Sequence, residues 1–384
     1  MKIVVLKFGG TSVGTIEKIK KVAQIISSYR KKKYKVIVVS SAMSGVTNEL
    51  IKKSNAISRN FSDAEYDVLL STGEQVACSL IAGRLIHNGF KSRSWLAWQL
   101  PISTTGSHKN SRINYINKNK IIKYLDQGGI PVITGFQGVD QNQRVTTIGR
   151  GGSDASAIMI AKFFKAKRCV IYTDVEGVYT TDPNIEKSAK KISKLSYEEM
   201  LEMSSTGAKV LHTRSVELAM KNNLILQVLS SLTNKTGTFI VDENELIEKE
   251  IVSGVSYSKN EAKVTISGIL DKPGISAKIF SLMSENNINV DMIVQNISQD
   301  GILANITFTI NQKDYDLTKS VLENNYNELD YKSLSLDKNV AKISVVGMGM
   351  MSQSGVAEKM FKTLAKNGIN ILAISTSEIK ISVL

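Results

Sequence analysis

The segment 149–154, Gly-Arg-Gly-Gly-Ser-Asp, combines the residue types in this sequence that are best suited to binding charged ligands. It leads directly into an apolar helix predicted over 155–164. Glycines at a helix start leave backbone N–H groups uncovered, and the helix dipole makes that position favourable for anions. Arg150 adds a planar group suited to a carboxylate or phosphate, and Asp154 adds an oxygen of the kind that Mg²⁺ prefers. The alternative is an ordinary glycine-rich turn in which Ser153 caps the helix.

A second candidate binding turn follows the first predicted strand, residues 2–7. The turn 8–12, Phe-Gly-Gly-Thr-Ser, precedes a helix predicted over 15–29. Strand, glycine turn and helix are the layout of a phosphate-binding unit, although these residues match neither a P-loop nor a dinucleotide-binding motif. Lys7, at the carboxyl end of the strand, would direct a positive charge at the ligand of the turn. The alternative is a strand-end lysine in water.

Further predicted strands deliver small or hydroxylated residues to their carboxyl ends, which is where open α/β sheets bind ligands. One such run is 40–48, Ser-Ser-Ala-Met-Ser-Gly-Val-Thr-Asn. Alternation with helical segments predicts a mainly parallel sheet with helices on both faces. The predicted strands in this group are 35–39, 91–98, 129–136, 169–172 and 224–229.

The segment 71–74, Ser-Thr-Gly-Glu, is predicted to open a helix that reaches residue 86. Glu74 is then either a functional carboxylate or the partner of Ser71 in a capping box. Another helix is predicted over 194–203, and a small-residue turn with a lysine at position 209 follows it.

An internal repeat follows an acidic segment at 242–250. Residues 262–264 and 268 recur as 341–343 and 347, and residues 274, 280 and 288–289 recur as 355, 361 and 369–370. Each copy is predicted as a strand, a glycine loop, a helix and two strands, a small α+β unit present twice. A duplicated unit beside a catalytic domain favours a sensor over simple packing. The predicted domains are 1–245, 246–330 and 331–384, the last ending early relative to a complete unit.

The amino-acid composition limits the class of protein to which this chain can belong. The chain has 384 residues, of which 42% are hydrophobic and 22% charged, as in globular proteins. We expect a cytoplasmic protein without membrane association, because no apolar run is long enough to span a bilayer and the start lacks a signal peptide. The net charge of +14 comes from 40 lysines and only 9 arginines, spread along the chain, so nucleic acid is the weaker explanation than anionic small molecules.

Cysteine and histidine usage points away from a metal centre. The 2 cysteines lack metal or disulfide spacing, and the 3 histidines are scattered, which favours structural or surface roles for them. We therefore predict no metal site built from protein ligands alone.

The order of the motifs resembles the aspartate kinase family, amino acid kinases with a tandem pair of ACT domains at the carboxyl end. The resemblance covers essentially the whole chain. It rests on the segments 7–12 (KFGGTS), 40–48 (SSAMSGVTN), 71–74 (STGE), 149–154 (GRGGSD), 172–183 (YTDVEGVYTTDP), 207–212 (GAKVLH) and 375–384 (STSEIKISVL).

The resemblance implies transfer of the γ-phosphoryl of Mg²⁺-ATP to the side-chain carboxylate of L-aspartate, the entry step to lysine, threonine and methionine. A carboxylate is already ionised at neutral pH, so this acceptor needs positioning and charge neutralisation rather than a general base. By similarity, Lys7 and Asp154 are catalytic. The substrate would contact Ser41, Thr47, Glu74, Arg150 and Ser153. ATP would contact Lys7, Gly9, Gly10, Thr173, Asp174, Tyr179, Asp182 and Lys209.

The same resemblance implies regulation by an amino acid, lysine or threonine or both, and a homo-oligomer formed through the ACT domains. One effector site would use Asp271 and Gln295, completed across an interface by Asn370 and Ile371. An equivalent site would use Asp291, Ser377 and Glu378.

The chain departs from the family pattern at four places. Asn184 stands where arginine is usual, Thr213 stands where proline is usual, 100–112 matches poorly, and the sequence stops at Leu384 where relatives continue. A rival reading is a kinase of acetylglutamate or a nucleoside monophosphate, which the doubled carboxyl-terminal unit disfavours. Another is a catalytically silent amino-acid-binding regulator, which the joint presence of Lys7, Glu74, Arg150 and Asp154 disfavours.

Overall fold

The computed structural model describes residues 2–205, 210–233, 235–246, 250–299, 301–351 and 353–384. These residues form two compact units that divide near residue 249. None of the helices in these ranges is long and apolar enough to cross a membrane.

The first unit alternates strands and helices. Its strands are β1 (Ile3–Phe8), β2 (Lys35–Ser40), β3 (Ser92–Trp95), β4 (Ile102–Thr104), β5 (Ile113–Ile116), β6 (Ile130–Thr134), β7 (Gln137–Val139), β8 (Val145–Thr147), β9 (Cys169–Thr173), β10 (Lys194–Ser196), β11 (Leu226–Ser230) and β12 (Thr238–Val241). Its helices are α1 (Ile16–Lys31), α2 (Val46–Ile57), α3 (Asp63–His87), α4 (Asn119–Asp126), α5 (Gly152–Phe163), α6 (Tyr197–Ser205) and α7 (Thr213–Lys221).

An eight-stranded sheet forms the core of this unit, with strand order β10-β12-β11-β9-β1-β2-β6-β3. Every pair is parallel except β11 with β12. The central strands are runs of β-branched residues that are buried on both faces, as helices on each side of a parallel sheet require. The register pairs Phe8 with both Ser40 and Tyr172, so the carboxyl ends of β2, β1 and β9 lie side by side.

A small sheet of order β5-β4-β7-β8 lies outside the sequence prediction. Its strands have three or four residues each, which is too short to show alternation. The hydroxyl oxygens of Thr104 and Thr146 are 2.6 Å apart inside it. Gly138 is needed here because a Cβ at that position would lie 2.2 Å from the Thr104 methyl group.

The predicted helix start at Ser71 is wrong. α3 runs without a break from Asp63, so Ser71 and Glu74 lie in its interior and form no capping box. The Ser71 and Thr72 hydroxyls donate to the carbonyls of Val68 and Leu69 instead. Gly73 does not end the helix: a Cβ there would lie 2.8 Å from the Ala42 Cβ, so the glycine allows the close approach of the turn after β2.

The helix predicted over 194–203 is partly wrong, because its first residues form a strand. β10 pairs in parallel with β12, and only then does α6 begin. The Ser196 hydroxyl accepts from the Glu199 backbone N–H, and the Glu199 carboxylate accepts from the Ser196 N–H. This reciprocal pair is the capping box that the sequence contains.

The second unit consists of two similar α+β arrangements that share one sheet. Its strands are β13 (Gly254–Leu270), β14 (Val290–Ile297), β15 (Leu303–Asn311), β16 (Ser333–Val346), β17 (Ile374–Ser377) and β18 (Lys380–Val383). Its helices are α8 (Ile275–Glu285), α9 (Tyr315–Asn324), α10 (Tyr326–Leu329) and α11 (Val356–Lys366). The order is β14-β15-β13-β16-β18-β17.

The two longest strands of this sheet serve both copies. Residues 333–337 of β16 pair with 263–267 of β13, whereas residues 342–346 pair with 254–258. The first pairing completes the first copy, and the second adds an edge strand to the second copy. We therefore propose that the boundary between the copies lies within β16, near residue 340. The predicted fold class, a mainly parallel sheet with helices followed by a duplicated α+β unit, is confirmed.

Candidate active site

A cavity of about 610 Å³ opens at the carboxyl edge of the large sheet. It is bordered by the turns after β1 and β2, the middle of α3, and the segment between β8 and α5. Eight of the predicted site residues line it together: Lys7, Gly10, Ser41, Thr47, Glu74, Arg150, Ser153 and Asp154.

Lys7 and Asp154 form an ion pair at the inner end of this cavity. The Lys7 Nζ lies 2.6 Å from the Asp154 Oδ1, and the two side chains are only 10% and 15% exposed. Asp154 lies in the first turn of α5, where the helix dipole favours a negative charge. Gly151, with φ of 69°, precedes that helix in the left-handed conformation, so Ser153 is not the capping residue. A partly buried ammonium is thus fixed beside a helix N-terminus.

The glycine turn after β1 is packed closely against its neighbours. A Cβ at Gly10 would lie 2.9 Å from the Ala42 carbonyl oxygen, and one at Gly9 would lie 3.4 Å from the Lys7 Nζ. The Gly9 N–H donates to the Tyr172 carbonyl at 3.1 Å, which joins this turn to the end of β9. Backbone therefore reaches the ammonium of Lys7 without an intervening side chain.

Glu74 carries a carboxylate that is only half satisfied. Its Oε1 accepts the Ala42 N–H at 3.0 Å, and its buried Oε2 has no hydrogen-bond partner among the described residues. Burial raises the pKa of Glu74 to about 7, and the Ala42 N–H only partly offsets that effect. A buried, unpartnered carboxyl oxygen beside a cavity is suited to a cationic ligand.

The resemblance implies an amino-acid substrate, and for such a substrate we expect the KM to rise as pH falls from 8 to 6, because protonation of Glu74 removes its attraction for an ammonium group. Steady-state measurements across that range with the wild type and Glu74→Gln test this. The Gln variant should bind more weakly at pH 8 and show a flat profile. Parallel profiles for the two proteins would contradict the assignment.

The same group should affect stability in the opposite sense. The folded-state pKa of about 7 lies above the ordinary value of 4.5, so the folded protein holds more protons between these values and loses stability as pH rises through them. Glu74→Gln should therefore gain resistance to urea at pH 8 and none at pH 4.

Arg150 is an exposed cation of the cavity, as is Lys109. No hydrogen bond or ion pair holds its guanidinium within the described ranges, which leaves both edges of the fork for a ligand. Gly149, with φ of 82°, precedes it and lies against the loop 105–112, since a Cβ there would be 3.0 Å from the Lys109 carbonyl oxygen.

Of the residues predicted for ATP, Lys7 and Gly10 line the cavity, whereas Thr173 and Asp174 lie outside it, at the carboxyl end of the neighbouring strand β9. Thr173 ends β9, and its carbonyl accepts the Ser231 N–H from the turn after β11. The Thr173 hydroxyl donates to the Asp174 carboxylate, and the Tyr179 hydroxyl donates to Glu176, which also pairs with Lys235 at 2.8 Å. Asp182 accepts from the backbone and side-chain nitrogens of Asn184. Lys209 lies outside the described residues.

Several lining residues were missed in the sequence, notably Tyr66, Leu70, Lys109 and Thr147. Lys109 pairs with Asp63 and lies 4.8 Å from the centre of the Tyr66 ring. Its loop is part of the segment that matches the family pattern poorly, so no motif indicated it. The available signal was the position of Tyr66 and Leu70 on the same helix as Glu74.

In the second unit, Asp271 and Gln295 come together as expected. The Gln295 amide donates to the Asp271 carboxylate at 3.3 Å and accepts the Ser276 hydroxyl at 3.0 Å. Asp291 instead pairs with Lys342, whose Nζ lies 2.7 Å away. Burial favours the neutral form of the Asp291 carboxyl group. The hydrogen bond and the positive charge of Lys342 outweigh burial, so the pKa of Asp291 is lowered. Asn370, Ser377 and Glu378 are exposed, and Ile371 is half-buried.

Comparison with known proteins decides the family. A model of the amino acid kinase family matches residues 2–230, and an ACT domain model matches 264–326 and 343–384. An aspartate kinase of Pseudomonas putida is 47% identical over 384 residues, which is all of this chain and 93% of that protein. The chain belongs to the aspartate kinases of the amino acid kinase family. Aspartokinase 2 of Bacillus subtilis is 42% identical over 382 residues.

Solved structures agree with this placement of the aspartate kinase chain. E. coli aspartokinase III in complex with aspartate and ADP matches with a TM-score of 0.81 and 25% identity, covering 100% of this chain and 96% of that one. The complex of the same E. coli enzyme with lysine and aspartate matches with a TM-score of 0.78 and 26% identity. The predicted enzyme class is confirmed, and the rival acetylglutamate and nucleoside monophosphate kinases are excluded by full-length similarity.

Proposed function

We propose that this aspartate kinase transfers the γ-phosphoryl of ATP to the side-chain carboxylate of L-aspartate, giving 4-phospho-L-aspartate for the synthesis of lysine, threonine and methionine. The observation that carries the proposal is the joint presence of the Lys7–Asp154 pair, Arg150 and Glu74 in one cavity. Aspartate has two anionic groups and one cationic group. Lys7 and Arg150 offer cations for the anionic groups, and Glu74 offers a carboxylate for the ammonium group, while the second carboxylate of the cavity, Asp154, is paired with Lys7.

In this proposal the exposed fork of Arg150 binds the α-carboxylate, because a guanidinium forms two parallel hydrogen bonds with a carboxylate. The free Oε2 of Glu74 accepts from the ammonium group. The hydroxyls of Ser41, Thr47 and Ser153 surround the same space and orient the side-chain carboxylate towards Lys7. The side chain of glutamate is longer by one methylene and would not place its carboxylate at the same position, so we expect aspartate to be preferred over glutamate.

Lys7 is proposed to stabilise the charge of the transferring phosphoryl group. Only one of its three N–H groups is needed for Asp154, so the others remain for phosphoryl oxygens. The attacking carboxylate is already ionised, and the reaction therefore depends on positioning and charge stabilisation. Asp154 holds the ammonium in place, and Gly9 and Gly10, which lack side chains, let the phosphoryl group approach the backbone, although the Gly9 N–H itself donates to the Tyr172 carbonyl.

The nucleotide is proposed to bind beyond Lys7, at the ends of β9 and β11. Thr173, Asp174, Tyr179, Asp182 and Lys209 are the proposed contacts, and this strand end adjoins the glycine turn through the Gly9–Tyr172 hydrogen bond. Mg²⁺ would arrive with ATP. The Asp154 carboxylate beside the cavity supports that expectation, since Mg²⁺ commonly takes one or two carboxylates together with substrate phosphates. Asp154 is the proposed protein ligand.

Trapping with hydroxylamine tests the reaction directly. Purified enzyme with ATP and aspartate should yield aspartyl hydroxamate, because an acyl phosphate reacts with hydroxylamine. Glutamate and N-acetylglutamate, assayed in parallel, are the matched controls for substrate choice. Product with either of these, and none with aspartate, would reject the proposed substrate.

We further propose that lysine, threonine or both inhibit the enzyme through the second unit. The Asp271–Gln295–Ser276 network at the start of α8 supports this, since a carboxylate and a carbonyl oxygen there can accept from an amino-acid ammonium group. Asn370 and Ile371 would complete this site from a second copy of the chain, and Asp291, Ser377 and Glu378 would form the equivalent one. The lack of any buried side chain on α11 supports a homo-oligomer formed through this unit.

Asp271→Ala should weaken inhibition at least tenfold without changing kcat, because it removes the only carboxylate of the network. Inhibition curves for lysine, threonine and their mixture measure this, with Asp330→Ala, which lies in the same unit at the end of α10, as the control. Wild-type activity unaffected by millimolar lysine and threonine together would rule out the effector site.

A further inference from the structure

A buried carboxylate close to the cavity connects three segments that form one wall of the cavity: α3, the loop 105–112 and the residues 147–150, which begin at the end of β8. Asp67 lies in α3, its side chain is completely buried, and it does not itself line the cavity. None of the sequence motifs above includes it. Its neighbours on the same helix, Tyr66 and Leu70, do line the cavity.

Both oxygens of Asp67 are saturated with donors from two distant segments. The Thr147 N–H and hydroxyl donate at 2.9 and 2.6 Å. The Lys109 N–H lies 3.1 and 3.2 Å from the two oxygens, and the His108 Nδ1, which faces a carboxylate and therefore donates, lies at 2.8 Å. One carboxylate thus joins α3 to the loop 105–112 and to the end of β8. Hydrogen bonds to a buried charge are among the stronger ones in proteins.

Both of these segments form the wall that carries Arg150. Thr147 ends β8, three residues before Arg150, and the chain between them contains Gly149 in the left-handed conformation. The Lys109 carbonyl and the Asn110 side chain are the nearest atoms above that glycine, at 3.0 and 3.1 Å from the position of a Cβ. The loop held by Asp67 therefore packs directly on the residue that precedes Arg150.

Arg214 of α7 holds the outer side of the same wall. Its guanidinium donates to the carbonyl of Ile148 at 2.5 Å and to that of Ser111 at 3.0 Å. Residues 108–111 and 147–149 are consequently fixed between a buried anion and a partly buried cation. Among the residues that the structure describes, none forms such a bond with the Arg150 side chain, so we expect its position to depend on this backbone.

We infer that Asp67 is a positioning residue for the amino-acid half of the active site, setting the placement of Arg150 and Lys109 through the loop 105–112 and the end of β8. This inference rests on the proposed function. The inference assigns a role to the segment 100–112, which matches the family pattern poorly. That role requires backbone donors and a histidine at the correct positions, and it does not require a motif that contacts the substrate.

Steady-state kinetics of Asp67→Asn tests the inference, since the amide keeps the size of the side chain but turns an N–H towards two of the donors. The KM for aspartate should rise about tenfold to a hundredfold, as expected for the loss of one or two hydrogen bonds to a charge. The KM for ATP should change less than about threefold, because the nucleotide side shares none of these bonds. Asp126→Asn, which removes a charge from an exposed ion pair with Lys35, is the matched control.

Two further measurements separate positioning from simple destabilisation. Amide hydrogen exchange at Lys109 and Thr147 should accelerate in Asp67→Asn at temperatures well below unfolding, with β1 and β2 unchanged. His108→Ala, a milder change at the partly exposed end of the network, should raise the same KM about threefold to tenfold. Added to Asp67→Asn it should cause little further change, because both variants break one network.

The outcomes distinguish the inference from the function on which it rests. A variant that unfolds at lower temperature but keeps its KM for aspartate would overturn the inference, as would equal changes in the KM for aspartate and for ATP. If Asp67→Asn does not fold, an unchanged KM in His108→Ala overturns it. Wild-type enzyme without aspartate-dependent product would overturn both.

Discussion

Lys7→Met is expected to lower kcat by about two to three orders of magnitude with less than a threefold change in the KM for aspartate. The reason is that a fixed charge in a partly buried site stabilises the transferring phosphoryl group more than the bound substrates, and losing one such donor costs about 3–4 kcal/mol of barrier. Stopped hydroxamate assays at saturating ATP and aspartate measure the loss.

The control for this variant is Lys35→Met, on the neighbouring strand. Lys35 also forms an ion pair at 2.6 Å, with Asp126, but away from the cavity, so its replacement should leave kcat unchanged. Asp154→Asn should lower kcat in the same way as Lys7→Met, and the double variant should be hardly worse than either, because the two residues act as a unit. Equal activity of Lys7→Met and the wild type would remove the catalytic role of the pair.

The second large effect is expected at Arg150. Arg150→Ala should raise the KM for aspartate at least a hundredfold, because the α-carboxylate loses a bidentate partner, while the KM for ATP stays within about threefold. Arg150→Lys should recover only a small part of the loss, since an ammonium cannot form the paired hydrogen bonds. Initial rates over a wide range of aspartate concentration give both constants.

Arg59→Ala is a suitable control for Arg150, because Arg59 is exposed in the same unit and lies outside the cavity. A further comparison with succinate as acceptor separates the contacts. Succinate lacks the ammonium group but keeps both carboxylates, so Arg150→Ala should still impair it, whereas Glu74→Gln should not. Loss of aspartate binding without any effect on succinate would assign Arg150 to another group.

The proposed site residues at the strand ends could be predicted because each one directly follows an apolar run. Lys7 lies near the carboxyl end of β1 and Ser41 directly follows β2. The burial of both strands is visible in the sequence, and parallel strands bring such positions to one edge of the sheet. Arg150 and Asp154 belong to a glycine turn before an apolar helix, which is equally visible. These signals are local. Parallel pairing of β1 and β2 brings Lys7 and Ser41 together, whereas Arg150 and Asp154 reach the same cavity through the turn between β8 and α5.

The features that the sequence did not predict depend on contacts between segments that are distant in the chain. Gly73 looked like a boundary, yet it is a close-packing glycine inside α3, and only the approach of Ala42 explains it. Residues 194–196 form the strand β10 because they pair in parallel with β12, which lies later in the chain. Asp67 carries no local signal, since a single acidic residue on a helix is usually exposed. Its donors come from about 41 and 80 positions away in the chain.

The sharing of β13 and β16 has a consequence for how the carboxyl-terminal half could arise or be divided. Cutting the gene after residue 330 would take the 333–337 strand from the first copy, and starting a fragment at 331 would take the 254–258 strand from the second. Neither piece would be a self-sufficient module. We therefore expect the two repeats to fold, and to be transferred into another protein, only as one unit.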